Sequence, residues 1–279
     1  MVPNMDFEAM RPRLTAIAFR LLGSVQDAED AVQNTWLKAS AAHTEDLLNP
    51  DAWATTVLTR VCLDELRKRH RRREEPLFAD LLPSESVAAD ERYLRREDVS
   101  RALMVVLHRL TPAQRVAYVL HDLFDVPFHE VAKTLHTSVA SAKKHASRAR
   151  GRLARATPEP SATTADRDVV EAFLAAAAGG GVDRMVALMT DDCVRVADAG
   201  LLPSGVPTVV TSARSIARET SSFADRIRAA VPMLIDRRPV GVIAPGGHPF
   251  AVITITTVGR RVARIEIGRP RGFSLTQGR

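Results

Sequence analysis

The chain has 279 residues, room for two or three compact units, with a formal net charge of +6 and a sequence pI near 9.9. Its two cysteines, Cys62 and Cys193, have no partner at metal-ligand spacing, which argues against a disulfide framework or zinc site and makes a reducing cytoplasm the default compartment. Charges at Asp6, Glu8, Arg11, Arg13 and Arg20 leave no legible signal peptide, and no apolar run approaches membrane-spanning length.

From Phe7 to about Arg73 apolar residues recur at helical steps. A helix over Val25–Ala39 starts at Ser24, whose hydroxyl and the Asp27 carboxylate form a capping-box pattern. At about 100° per residue Val25, Ala28, Val32, Thr35, Trp36 and Ala39 share a face expected to be core. Asp27, Asp30, Gln33, Asn34 and Leu37 fall opposite. A leucine among acids and amides suits a docking surface for a basic partner, and the alternative is a solvated face with one stray leucine.

Pro50 and Asp51 open a second helix with Trp53, Val57, Val61 and Leu58 at core spacing, running into a basic stretch that ends at Arg73. Trp53 reads first as simple core. Thr55, Thr56, Thr59, Arg60 and Arg67 are expected at exposed positions, able to meet bases or phosphates of a single strand. Residues 74–98 turn acidic and carry Pro76 and Pro83, the pattern of a linker.

Helical periodicity resumes over 99–156. Pro127 suits a first turn, Phe128, Val131, Ala132 and Leu135 form a buried stripe, His136-Thr137 makes a turn, and Ser138 caps the next helix. That helix is expected to bury Val139, Ala142, Ala146, Ala149 and Leu153. Its other side presents Ser141, Lys144, Arg148 and Arg155, with His145 and Arg152 beside them and Lys143 and Arg150 toward the flanks. No acid occurs between Glu130 and Glu159. This is the helix-turn-helix pattern, in which the second helix enters the major groove. One basic run could be a solvated face; two on separate helical units favour a polyanion, because each Lys or Arg beside a phosphate releases counterions.

Four segments, in this order and spacing, resemble the extracytoplasmic-function sigma factors: Asp27-Ala28-Glu29-Asp30-Ala31-Val32-Gln33; Trp53 followed by Asp64-Glu65-Leu66-Arg67; Leu110-Thr111-Pro112 with Gln114-Arg115; and Glu130-Val131-Ala132 with Lys143 and Arg148-Ala149-Arg150. The resemblance covers residues 7–155 and implies two all-α domains, region 2 over 1–73 and region 4 over 99–156. It implies that Asp27, Asp30, Gln33, Asn34 and Leu37 dock core RNA polymerase. Trp53, Thr56, Arg60, Arg67 and Lys68 would melt and read the minus-10 element, and Ser138, Ser141, Lys143, Lys144, His145 and Arg148 would read the minus-35 element. Arg60 stands where many members carry Asn, so an altered base preference is expected.

Residues 157–165 read as a second linker, and 166–279 as an α+β domain whose element order resembles the SnoaL-like, cone-shaped fold of the nuclear-transport-factor-2 superfamily. Two helices, strands near Val194 and Val209, a helix over Ser212–Phe223 and three later strands are expected. Sigma factors with such an extension resemble self-regulated proteins in which the tail packs on the sigma domains, here through Leu82, Pro83, Asp198 and His248. Some relatives of the fold are enzymes, and Asp191, Asp192, Asp198 and His248 are the general-base candidates for a second reading, a small-molecule enzyme with a DNA-targeting arm. With no nucleophile, metal set or phosphate loop beside them, a binding role without catalytic residue, metal or cofactor is expected, and a pocket for an unknown small ligand stays open.

Overall fold

The computed structural model describes residues 6–41, 49–71, 84–156, 164–235 and 238–270. Helix α1 (Phe7–Leu22) starts at Asp6, whose carboxylate accepts from Ala9 N–H (3.0 Å), and stops at Gly23, whose φ of +84° sends its N–H back to the Phe19 carbonyl. Helices α2 (Val25–Ala41) and α3 (Pro50–Arg71) pack on it.

Helix α4 (Ser84–Arg96) lies where the acidic composition predicted a linker. It buries Asp90, Tyr93 and Leu94, a stripe too sparse to stand out in sequence, and the Tyr93 ring packs at a tilt against Phe19 of α1, centroids 4.5 Å apart. Helices α5 (Arg101–His108), α6 (Pro112–Tyr118), a π-helical turn (Val119–Leu123), α7 (Phe128–Leu135) and α8 (Val139–Ala156) complete the helical part. Thr111 and Gln114 close a full capping box at the start of α6.

All eight helices share one apolar core, running from Phe7 and Phe19 through Leu58 and Leu107 to Ala142 and Ala149. Polar contacts also tie α1 to the later helices: Arg115 Nε donates to the Arg20 carbonyl (3.0 Å) and Arg13 to the Phe124 carbonyl (3.3 Å).

The C-terminal part is α+β. Helices α9 (Thr164–Ala178) and α10 (Val182–Leu188) precede β1 (Met189–Ala197) and β2 (Val209–Thr211), then α11 (Ala213–Ser221) and α12 (Ala224–Ile227). Four strands follow where three were expected: β3 (Ala230–Ile235), β4 (Arg238–Ile243), β5 (Ala251–Val258) and β6 (Arg261–Gly268). Proline interrupts the alternation in both β3 and β4 and masked one of them. The sheet order is β2-β1-β6-β5-β4-β3, antiparallel except for β1 against β6. Its helices cover one face, the sheet-and-helix arrangement that the SnoaL-like resemblance implied.

The β3–β4 edge is buried on its other face as well. Val240, Val242, Ala244 and Met233 pack against Val105 and Val106 of α5, with Leu153 of α8 alongside. Side chains alternate across a strand, so β4 turns Val240 and Val242 to the helices and Ile243 to the core of its own domain.

Candidate nucleic-acid interface

The basic surface is built on α8. Pro127 caps α7, His136 at φ +52° ends it, and Ser138 Oγ accepts from Ser141 N–H (3.1 Å) to start α8. Ala142, Ala146 and Ala149 are fully buried, and their small size lets α8 lie close on α6 and α7. Lys143, Lys144 and Arg148 project to solvent, and Ser141 is half-buried beside them.

Three α8 residues depart from expectation. Val139, expected in the core, is 41% exposed because it occupies the first position of the helix, ahead of the turn that α7 covers. Arg150 is held by Asp122 at 2.6 Å, and Arg152 donates to the Arg109 carbonyl at 3.0 Å. Both arginines therefore brace the bundle. His145 is half-buried; desolvation first, and the neighbouring Arg148 second, hold it below the ordinary imidazole range.

On α2, Asp30, Gln33, Asn34 and Leu37 are exposed as expected, Leu37 at 51%. Asp27 is instead half-buried, accepting from Arg69 of α3 at 2.8 Å. Trp36, expected in the core, is 38% exposed next to Leu37, because Ala31 rather than Trp36 completes the buried stripe. The exposed patch thus carries two large apolar side chains, and the signal missed was the adjacency of Trp36 to Leu37.

On α3 the core stripe is Ala54, Leu58, Cys62, Leu63 and Leu66, with Trp53, Val57 and Val61 half-buried. Thr55 and Thr59, expected outside, are buried. Thr59 donates to the Thr55 carbonyl (2.7 Å), so its hydroxyl is satisfied within the helix and the side chain packs like valine. Arg60, Arg67 and Lys68 are exposed, the last two in loose pairs with Asp64 (3.9 Å) and Glu65 (3.8 Å). Thr56 is half-buried and lines a cleft between α3 and the start of α7.

The third domain meets the helices at a buried polar joint. His248, 0% exposed, places Nε2 2.7 Å from Asp90 Oδ2. The other oxygen, Oδ1, accepts from the first N–H of α2, at Val25 (2.7 Å). Beside it Glu91 pairs with Arg101 and accepts from Gly246 N–H (2.8 Å). The turn Pro245–Gly247 fits closely: a β-carbon on Gly247, at φ +85°, would stand 2.9 Å from Met104 Cβ. Behind it lie His108 and Arg115, each buried with one ring or guanidinium nitrogen lacking a hydrogen-bond partner among the described residues. Burial, then Arg69, lowers Arg115 to about 9.

Asp198, expected at this joint, caps a local turn through Gly200 N–H (2.9 Å), and Leu82 and Pro83 lie outside the described residues. Asp191 and Asp192 are exposed on β1. None of these acids, nor His248, lines the apolar cavity of the third domain, and no cluster of three potential metal ligands occurs among the described residues. No helix among them is long and apolar enough to cross a membrane.

Comparison with known proteins places these surfaces in context. Residues 7–72 match the Sigma-70 region 2 family and residues 100–153 the Sigma-70 region 4 family. A curated relative, the ECF RNA polymerase sigma factor SigJ of Mycobacterium tuberculosis, is 42% identical over 218 residues, 73% of this chain and 68% of that protein. The chain belongs to the extracytoplasmic-function RNA polymerase sigma factors. A second relative, the probable ECF sigma factor SigI of the same species, is 31% identical over 66% of this chain and 65% of its own length. The crystal structure of Mycobacterium tuberculosis SigJ aligns over 96% of both chains at 32% identity, with a TM-score of 0.44. As a sigma factor the chain serves promoter-directed transcription, a binding role rather than that of a classical enzyme.

Proposed function

We propose that this sigma factor is held closed by its own third domain, and that promoter use requires the joint at Asp90 and His248 to open. In this reading Asp30, Gln33, Asn34, Trp36 and Leu37 form the core-polymerase docking patch. Trp53, Thr56, Arg60, Arg67 and Lys68 serve the minus-10 element, while Ser138, Ser141, Lys143, Lys144 and Arg148 serve the minus-35 element.

The observation that carries it is the apolar core shared by both helical domains. Sites near positions −35 and −10 lie roughly 85 Å apart along a duplex, at about 3.4 Å per base pair. A compact body of about 150 residues is only about 40 Å across. One packed core cannot reach both sites, so the closed arrangement is an inactive one. The third domain supports it by burying β4 against α5 and by seating His248 on Asp90.

Run-off transcription with purified core polymerase tests the reading. His248→Ala and a chain ending near residue 160 are expected to change transcript yield, and Lys144→Ala with Arg148→Ala to abolish specific transcripts. Unchanged transcription by both the His248 variant and the truncated chain overturns the role of the joint; full activity of the double variant overturns the assignment of α8.

A further inference from the structure

The third domain encloses a cavity of about 70 Å³ that the sigma role leaves unused. Leu174 of α9, Phe223, Phe250, Ile253 and Ile265 make its walls apolar. Two arginines also line it, and they differ. Arg195 is buried and fully committed, forked onto Glu219 and donating to the Pro207 and Thr208 carbonyls at 3.0 Å each. Arg226 is exposed, with its guanidinium over the rings of Phe223 (5.9 Å) and Phe250 (5.5 Å), and no carboxylate pairs with it among the described residues. Thr220 adds a hydroxyl to the same wall.

An apolar interior with one uncommitted cation at its edge is complementary to an amphipathic anion. The interior lowers the free energy of a hydrocarbon chain, and a guanidinium braced on two aromatic rings offers a paired fork of donors to a carboxylate. At about half the roughly 150 Å³ that accommodates benzene, the cavity favours a slender chain over a ring. We infer that this cavity is a binding site for a single-chain alkyl carboxylate, its tail between Leu174 and Ile265 and its head on Arg226.

The cavity also touches β4. Ile243 lines it, and Leu174 lies against Gly241, where an added β-carbon would meet the leucine methyls at 2.9 Å. The reverse face of that strand is the contact with α5. A seated chain therefore bears on the interdomain contact, a consequence that rests on the reading above, whereas binding itself does not.

The test is calorimetric titration of the full chain with butanoate, whose three-carbon tail suits a cavity of about 70 Å³, and, as the uncharged counterpart, 1-butanol. Butanoate is expected to bind about tenfold more tightly, the factor that a charge-assisted hydrogen bond of about 1.5 kcal/mol supplies. Arg226→Gln, at an exposed position, is expected to remove that preference, and Ala177→Phe, which fills the interior, to abolish binding of both. Should Ala177→Phe not fold, methyl NMR shifts of Ile253 and Ile265 on titrating the wild-type chain take its place and are expected to move. No binding at high-millimolar butanoate, an undiminished preference for butanoate over 1-butanol in Arg226→Gln, undiminished binding in a folded Ala177→Phe, or unmoved isoleucine methyls would each overturn the assignment.

Discussion

At the scale of single residues, the joint is poised by groups that would be better hydrated elsewhere. Burial holds His108 well below the ordinary imidazole range, and the charges of Arg115, His248 and Arg69 push it further. The closed chain therefore keeps His108 neutral, whereas an opened or unfolded chain takes up a proton below about pH 6.5. The associated stability is fully present above that pH and is lost as pH falls toward the lower folded-state value, at up to about 1.4 kcal/mol per unit. Urea midpoints at pH 7.5 and 5.5 are expected to separate more for the wild type than for His108→Leu; equal separation would refute the assignment. Gly247 supplies a second prediction at this scale. With φ at +85° and Met104 2.9 Å from any β-carbon, Gly247→Ala is expected to cost about 1–3 kcal/mol in thermal unfolding, while Gly205→Ala, at a similar φ of +87° but in open space, costs backbone strain alone.

At the scale of elements, α8 shows what sequence pattern reads well. Ala142, Ala146 and Ala149 repeat at helical steps and face inward, and the lysines and Arg148 fall outside because that face has no alternative. What the pattern could not show is which cations are already engaged. Arg150 looks like Arg148 in sequence, yet Asp122 reaches it from the π-helical turn. In duplex binding, Lys144→Ala with Arg148→Ala is expected to flatten the slope of log affinity against log salt by roughly 1.8, about 0.9 per lost phosphate contact. Arg150→Ala is expected to leave that slope nearly unchanged and to lower stability by up to about 1 kcal/mol, since the pair is partly exposed. A slope change as large as the double variant's would return Arg150 to the DNA face. The same blindness to long-range contacts explains the other departures: Trp36 lost its place in the core to Ala31, Thr59 hid its hydroxyl in its own helix, and α4 owes its burial to α1 and the Pro245–Gly247 turn.

At the scale of the whole molecule, the four motif segments and the two basic runs were legible because they are local; packing of the tail through His248 was expected from the family resemblance alone, whereas its partner Asp90, 158 residues away, and the core shared by both helical domains were not legible. Breaking the buried hydrogen bond between them costs about 1–3 kcal/mol. His248→Ala is therefore expected to enlarge the radius of gyration measured by small-angle scattering, with Asp90→Ala doing the same. Unchanged scattering from both variants would show that the β4–α5 contact alone keeps the molecule closed.

Asp90 has two oxygens and two clients: one holds the tail's turn, the other the opening amide of α2. The helix that carries the Trp36–Leu37 patch and the turn of the third domain are thus moored to a single side chain. A substitution at Asp90 cannot loosen the third domain without also removing the acceptor of the first N–H of α2, whereas a substitution at His248 leaves that helix start untouched.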